Sequence, residues 1–381
     1  MKDISYNEKK TKVIAFYLPQ YHSIPENDKW FEKDFTEWTN VRKAKPLFKD
    51  HYQPRIPADL GYYDLSKPEI REAQARLAEE AGIAAFCYYH YWFGNGKQLL
   101  EMPLNEVVRV KTPDFPFCIA WANQTWYKKT WDSNKSILNK AVLIKQEYLG
   151  EKEIEDHFFA LYHIFNDKRY FKIHDKLVFV LYKVEKIPYL DMFKEIWQKL
   201  ALKNNLPGFF FVSYTDDIGR ISDPRHTNCD ATILSLKTEP GSFRKNSRLR
   251  KFKRVLISLI SNTLKNPLHV LPYSKVIDQL SSPLFNQNRI YPVIIPNWDY
   301  TPRRGMGSLI FHDSTPELFK KHVRQILSLI DKKDSRDKIV FLKSWNEWGE
   351  GNYMEPDLKF GKGYIDALRE VLDENAHLER G

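Results

Sequence analysis

Cysteine is scarce in this chain: three residues in 381. Cys87, Cys118 and Cys229 are widely spaced, and the first two lie inside apolar runs that read as buried strands, so neither a disulfide framework nor a zinc site follows. Long hydrophobic runs are missing as well, since no stretch approaches the ~20 apolar residues that a membrane-spanning helix needs. Met1 to Lys12 is polar and charged without an apolar core, which makes a cytoplasmic protein the expectation. No Pro/Gly/Ser linker, internal repeat or low-complexity tract divides the chain, so a single domain is expected over residues 1–381. A Gly-rich phosphate loop is absent after the first apolar run, Ile14-Ala15-Phe16-Tyr17-Leu18-Pro19-Gln20-Tyr21-His22, which argues against a dinucleotide-binding sheet.

Hydrophobic residues are plentiful at 43%, enough for a large core and against disorder. The chain also carries 10 Trp, 21 Tyr and 24 Phe, an excess that suits stacking on flat faces of sugars or bases. Net charge is +10, and much of it is local. Between Arg244 and Arg254 lie seven basic residues and no acid, followed by the apolar run Val255–Ile260. That tract reads in two ways: a helix resting on an anionic leaflet or holding a pyrophosphate, or a solvated insertion whose apolar end packs on the domain. With the charge confined to one tract and no recognition motif beside it, nucleic acid is not an expected partner.

Eight short β-branched and aromatic runs alternate with stretches of helical period. The strands are expected at Lys12–Leu18, Ile83–Tyr89, Phe117–Trp121, Leu177–Tyr182, Phe209–Tyr214, Ala231–Leu236, Pro292–Trp298 and Lys338–Ser344. Helices are expected at Lys67–Ala81, stopped by Gly82, and at Glu151–Phe165, Leu190–Lys203, Pro316–Ile330 and Gly363–Asp373. This order predicts an α/β fold, a (β/α)8 TIM barrel with loop insertions; an open doubly wound sheet gives a similar pattern but lacks its phosphate loop here. Ala141–Tyr148 reads as an extra strand in a loop, and Lys237–Leu280 as a basic insertion before the seventh strand.

Barrel active sites are built where the strands end. The ends here carry Gln20-Tyr21-His22, His90-Tyr91-Trp92, Trp121-Ala122-Asn123-Gln124, Tyr214, Asn297-Trp298-Asp299-Tyr300 and Trp345-Asn346-Glu347-Trp348. Any one of these suits a structural polar group; six together suit a sugar site, with aromatic faces for C–H surfaces and amide or imidazole edges for hydroxyls. Tyr21, His22, His90, Tyr91, Trp121, Asn123 and Trp298 are the expected sugar contacts, with Asn346, Trp348 and Glu355 beside them. Glu347 and Glu350, three residues apart around a Gly-containing turn, form a pair of the kind glycosyl transfer needs, one acid for the departing oxygen and one carboxylate as base or nucleophile. No His lies at ligand spacing from them, so no metal and no cofactor is expected.

Three segments, Asp34-Phe35-Thr36-Glu37-Trp38-Thr39-Asn40-Val41, His51-Tyr52-Gln53-Pro54-Arg55-Ile56-Pro57 and Trp345-Asn346-Glu347-Trp348-Gly349-Glu350-Gly351, resemble the WbsX family. That family is labelled a glycosyltransferase of surface-polysaccharide loci, and it is similar to the endo-α-mannosidase barrels of glycoside hydrolase family ninety-nine. The resemblance runs from about Lys12 to Leu372. It implies that Glu347 and Glu350 are the catalytic acids of a retaining reaction. Glu347 takes the proton of the sugar 2-hydroxyl, whose oxygen attacks the anomeric carbon to give a 1,2-anhydro sugar, while Glu350 protonates the leaving oxygen. Such chemistry suits an axial 2-hydroxyl, as in α-mannose. Gly349 and Asn352-Tyr353-Met354 depart from the mannosidase pattern, which leaves the sugar and endo cleavage open. Glu37 and Trp38 belong to a block that reads either as a lid or subsite loop or as packing.

Two functions follow. One is a retaining glycoside hydrolase or transglycosidase on α-mannose-like linkages of a bacterial surface polysaccharide. The other is a glycosyltransferase of lipopolysaccharide O-antigen or capsule assembly, acting on a lipid-linked glycan at the inner membrane face, with peripheral contact through Arg244–Ile260. A carbohydrate-binding barrel without catalysis keeps the aromatics but needs no acids.

Overall fold

The computed structural model describes residues 11–127, 141–236 and 269–378. Eight parallel strands close into a barrel: β1 (Lys12–Tyr17), β2 (Ile83–Trp92), β3 (Phe117–Trp121), β4 (Lys176–Leu181), β5 (Phe209–Thr215), β6 (Ala231–Leu234), β7 (Ile290–Ile294) and β8 (Ile339–Leu342). Each pairs with its neighbours in chain order, and β1 pairs with both β2 and β8, so no edge is left open. These are the eight expected runs, with ends shifted by a few residues.

A helix follows every strand: α1 (Pro68–Ala81), α2 (Met102–Val110), α3 (Glu151–Phe165), α4 (Leu190–Lys203), α5 (Pro224–Thr227), α6 (Tyr273–Gln279), α7 (Pro316–Ile330) and α8 (Gly363–Leu378). Strands covered on both faces bury whole runs rather than alternate residues, and all ten residues of β2 are buried. The fifth helix shrinks to a single turn. α1 starts one residue later than expected, and Lys67 at its cap makes no side-chain bond. Gly82 ends it at φ +80°, where a Cβ would also press within 2.9 Å of Leu372.

Within the expected extra strand, Val142–Ile144 pairs antiparallel with Trp126–Tyr127. Of the expected insertion, Val270–Pro272 pairs with Ile310–His312 and Tyr273–Gln279 is the sixth crossover helix. The basic tract Arg244–Ile260 lies outside the described residues. Among the described residues no helix is long and apolar enough to cross a membrane.

The α3–α4 side of the core is aromatic. Fully buried Trp197 on α4 meets Phe179 of β4 at 4.6 Å, Phe193 at 4.6 Å, Phe209 of β5 at 5.1 Å and Phe165 of α3 at 5.5 Å between ring centroids. Removing that indole leaves a void that rigid neighbouring rings cannot fill. Trp197→Ala is expected to cost about 3–5 kcal/mol, read as a lowered urea midpoint with an unchanged slope.

Candidate active site

The turn after β8 carries the two acids. Ser344 Oγ donates to the Asn352 carbonyl at 3.0 Å and accepts from the Glu347 amide at 3.1 Å, bracing both arms of the turn. Asn346 works as a surrogate strand residue: Oδ1 accepts from the Leu18 amide at 2.7 Å and Nδ2 donates to the Leu18 carbonyl at 3.0 Å, carrying the β1–β8 seam past the last strand pair. Gly351 closes the turn at φ +56°, and a Cβ there would stand 2.8 Å from the Asp299 amide nitrogen, so only glycine fits.

Arg303 meets the pair from the short helix Thr301–Arg304. Its Nη1 lies 3.2 Å from Glu347 Oε1 and bonds Glu350 Oε1, while its Nε donates to Glu37 Oε1 at 2.7 Å. One guanidinium thus serves three carboxylates drawn from two stretches of chain, the first loop and the turn after β8. Glu37 is set by its amide, which donates to the Gln20 carbonyl at 3.0 Å. Its carboxylate reaches Arg303 only because residue 349 has no side chain: a Cβ on Gly349 would fall 1.6 Å from Glu37 Oε1.

Asp299 ties this assembly to the first loop. Its Oδ2 receives His51 Nε2 at 2.8 Å and Gln53 Nε2 at 2.7 Å, its Oδ1 caps the Arg303 helix at the Thr301 amide, 3.0 Å away, and its own amide donates to the Glu350 carbonyl at 2.7 Å. Burial alone would raise the Asp299 carboxyl, but His51, Arg55 and Gln53 together hold it below the ordinary value. Arg55 adds a bond from Nη1 to the Gly351 carbonyl at 3.2 Å.

Burial, then the nearby Glu350 carboxyl, push Glu347 up to about 8 against the pull of Arg303 and Lys343. Glu347 is thereby held in a protonated form more readily than an ordinary carboxyl. Glu347 Oε2 is buried without a hydrogen-bond donor among the described residues. The acids stand at the floor of a cavity of about 430 Å³, a size suited to a small ligand. Tyr89, Tyr91, Trp126 and Tyr182 form aromatic walls, and Gln20, Asn40 and Gln124 supply polar edges.

Of the expected contacts, Tyr91 lines this cavity with Glu347 and Glu350. The others stand elsewhere. Tyr21 is buried, its hydroxyl bonding the Asn346 carbonyl and receiving the Trp348 amide at 3.2 Å. Trp348 stacks on Tyr353 at 3.7 Å and packs on Trp38 at 5.4 Å. Glu355 is enclosed by Trp348 Nε1 at 2.6 Å, Gln74 Nε2 at 2.6 Å and the Tyr63 hydroxyl at 2.9 Å, and burial pushes it up to about 7. His90 faces the helix layer, 2.8 Å from His157 Nε2, and Trp121 donates to the Trp92 carbonyl at 2.9 Å. Asn123 binds both the carbonyl and the amide of Lys183. His22 borders a separate surface recess, and Trp298 lines a second cavity beside the barrel mouth. Asn346, as described above, is spent on Leu18. These positions make Tyr21, Trp348, Asn346 and Glu355 supports of the acids rather than parts of the cavity wall. Sequence reading missed Arg303, Tyr89 and Tyr182. Strand alternation held the signal for Tyr89, which points the same way as Tyr91.

The family model described as Glycosyltransferase WbsX matches residues 13–368. The uncharacterized protein WxcX of Xanthomonas campestris pv. campestris is 33% identical over 364 residues, in each of two strains, covering 94% of this chain and 49% of that protein. The chain thus spans about half the length of the curated relatives it matches. Among solved structures, the GH99 endo-α-mannosidase of Bacteroides thetaiotaomicron in complex with bis-tris-propane superposes with a TM-score of 0.54 at 15% identity, covering 97% of this chain and 98% of that one. A glycoside hydrolase-like protein gives 0.58 at 17% identity, over 96% and 94% of the two chains. At these identities the likeness is one of fold.

The raised Glu347 has a consequence for stability. The folded state holds its proton up to about pH 8, the unfolded chain only to the ordinary carboxylate range, so its contribution is full at low pH and is lost as pH rises between those values. Buried His90 and His322, lowered to about 3 by burial, push the other way below about pH 6.5. Their effect cancels on comparing wild type with Glu347→Gln. The stability gained by the substitution is expected to grow from pH 5 to pH 8, measured as urea midpoints; a pH-independent difference would refute the raised carboxyl.

Proposed function

The chain belongs to the WbsX glycosyltransferase family, a carbohydrate-active family, and from that premise we propose that it breaks and re-forms glycosidic bonds with retention, through the pair Glu347 and Glu350. One observation carries this reading: two carboxyls three residues apart share a guanidinium nitrogen and line an aromatic cavity. On this reading the sugar supplies its own nucleophile, as the family resemblance implies.

In the first step Glu347 removes the proton of the 2-hydroxyl, the 2-oxygen bonds to the anomeric carbon, and the glycosidic oxygen leaves with a proton from Glu350. Water or a sugar hydroxyl then loses its proton to Glu350 and attacks the anomeric carbon; the 2-oxygen is released and recovers its proton from Glu347. Two inversions give retention. A carboxyl with a raised proton affinity is the stronger base once ionised, and the step requires Glu347 ionised with the proton on Glu350. Tyr91, Tyr89, Tyr182 and Trp126 provide faces for the ring. The substrate on this reading is an oligo- or polysaccharide with α-mannose-like linkages.

The family description, a glycosyltransferase, supports glycosyl transfer as a second reading, which we carry to a lipid-linked glycan in lipopolysaccharide O-antigen or capsule assembly at the inner membrane face. The two differ in the acceptor and in the need for an activated donor. A cytoplasmic location, peripheral at that membrane, goes with the second.

Glycan product analysis on surface polysaccharide and α-mannosides decides between them. Wild type is expected to form products without a nucleotide donor, and Glu350→Gln to lose about 10²–10⁴-fold in rate. A 2-deoxy-2-fluoro substrate is expected to be inert and to leave no adduct on the protein by mass spectrometry. A trapped glycosyl-enzyme, or turnover only with a nucleotide sugar, overturns the mechanism.

A further inference from the structure

A second cavity, of about 220 Å³, opens beside the first at the same end of the barrel. The two meet back to back across one pair of rings: Tyr182 lines the first, Tyr214 the second, and they stack at 4.3 Å with planes 15° apart. Lys343, the residue after β8, enters the second cavity with its ammonium 4.9 Å from the centre of the Trp298 ring and 5.9 Å from that of Tyr214. Arg304 also lines it, and no carboxylate does. Among the described residues neither cation forms an ion pair.

The Lys343 ammonium is half-buried, and ring faces compensate its charge only in part. Ser308, 1% exposed, lines the same cavity, and its hydroxyl has no partner among the described residues. Trp298 and Tyr300 lie parallel, 12° apart at 6.3 Å, as an apolar wall. Two cations, an idle hydroxyl donor and a flat aromatic surface form a pocket for a ring that bears a negative charge.

We propose that this second cavity binds an acidic sugar unit, a uronate or a comparable carboxylate-bearing residue, of the glycan whose reacting bond lies at Glu347 and Glu350. The carboxylate pairs with Lys343 and Arg304 and accepts from Ser308, and the ring lies on Trp298. This rests on the glycoside reading of the first cavity and deepens it by giving the substrate a charge.

Isothermal titration calorimetry with a methyl uronoside and its neutral parent glycoside tests the assignment through binding. Wild type is expected to favour the uronoside by at least about tenfold, and Glu347→Gln to keep that preference, which separates this site from the catalytic reading. Arg304→Ala and Ser308→Ala are each expected to reduce the preference several-fold, and Lys343→Gln to abolish it. Should Lys343→Gln fail to fold, Arg304→Ala at the solvent rim carries the test. Equal binding of the two glycosides, or a preference untouched in Arg304→Ala, overturns the proposal even where glycosidase activity is found. Inorganic pyrophosphate binding more tightly than the uronoside through the same residues overturns the sugar acid in favour of a phosphate group.

Discussion

The contact of Arg303 with Glu37, Glu347 and Glu350 is the interaction around which the rest of the site is arranged. Three carboxylates brought into a buried space repel one another and lose their water, and a guanidinium is the side chain that can serve several of them through a fixed fork of donors while staying charged. Holding it there takes geometry, and several otherwise odd features of the chain are that geometry. Gly349 vacates the space the Glu37 carboxylate fills. Asp299 caps the helix that presents Arg303 and bonds the backbone of Glu350 directly, so the cation and one of its anions move together. His51 and Gln53 hold Asp299, and Arg55 holds the carbonyl of Gly351. The motif His51-Tyr52-Gln53-Pro54-Arg55 therefore acts on the acids at one remove.

A second ring of polar groups fixes the other face of the turn. Glu355 receives Trp348, Tyr63 and Gln74, and Tyr21 bridges the Asn346 carbonyl and the Trp348 amide. Trp38 lies against Trp348 and donates to the Tyr63 carbonyl at 2.8 Å. The block Asp34–Val41 thereby does two things the sequence presents as alternatives: Glu37 enters the charged cluster while Trp38, the next residue, packs beneath it. Adjacent residues at the start of a helix point in different directions, and that is enough to divide the roles.

The fold was legible because its signals are local. Runs such as Phe117–Trp121 and Val178–Leu181 are apolar throughout, and helices such as Pro316–Ile330 show their period plainly, so eight strands and the long helices could be read without tertiary information. Glu347 and Glu350 stood out in the sequence through their motif, and the structure brings them together on Arg303. Cavity-lining residues were harder, because a strand end offers two faces and the choice between them is a matter of parity. His90 and Trp92 point to the helix layer, where α3 supplies His157 and Glu153, whereas Tyr89 and Tyr91 point into the mouth. Arg303 had no local signal: it sits in an ordinary-looking Thr-Pro-Arg-Arg turn, and its partners are 44, 47 and 266 residues away.

The charge balance of the cluster also bears on how substrate enters. Arg303 bridges the two acids through a single nitrogen, a position that offsets their repulsion. On the proposed mechanism, a sugar whose 2-hydroxyl meets Glu347 and whose glycosidic oxygen meets Glu350 replaces that bridge with two hydrogen bonds of its own. On the same mechanism the bond of Arg303 to Glu37 lets the guanidinium go on stabilising the ionised carboxylate once the bridge opens, a role for the Glu37 charge beyond packing. On this reading the third carboxylate does no chemistry. It sets the distance at which the cation remains while the other two work.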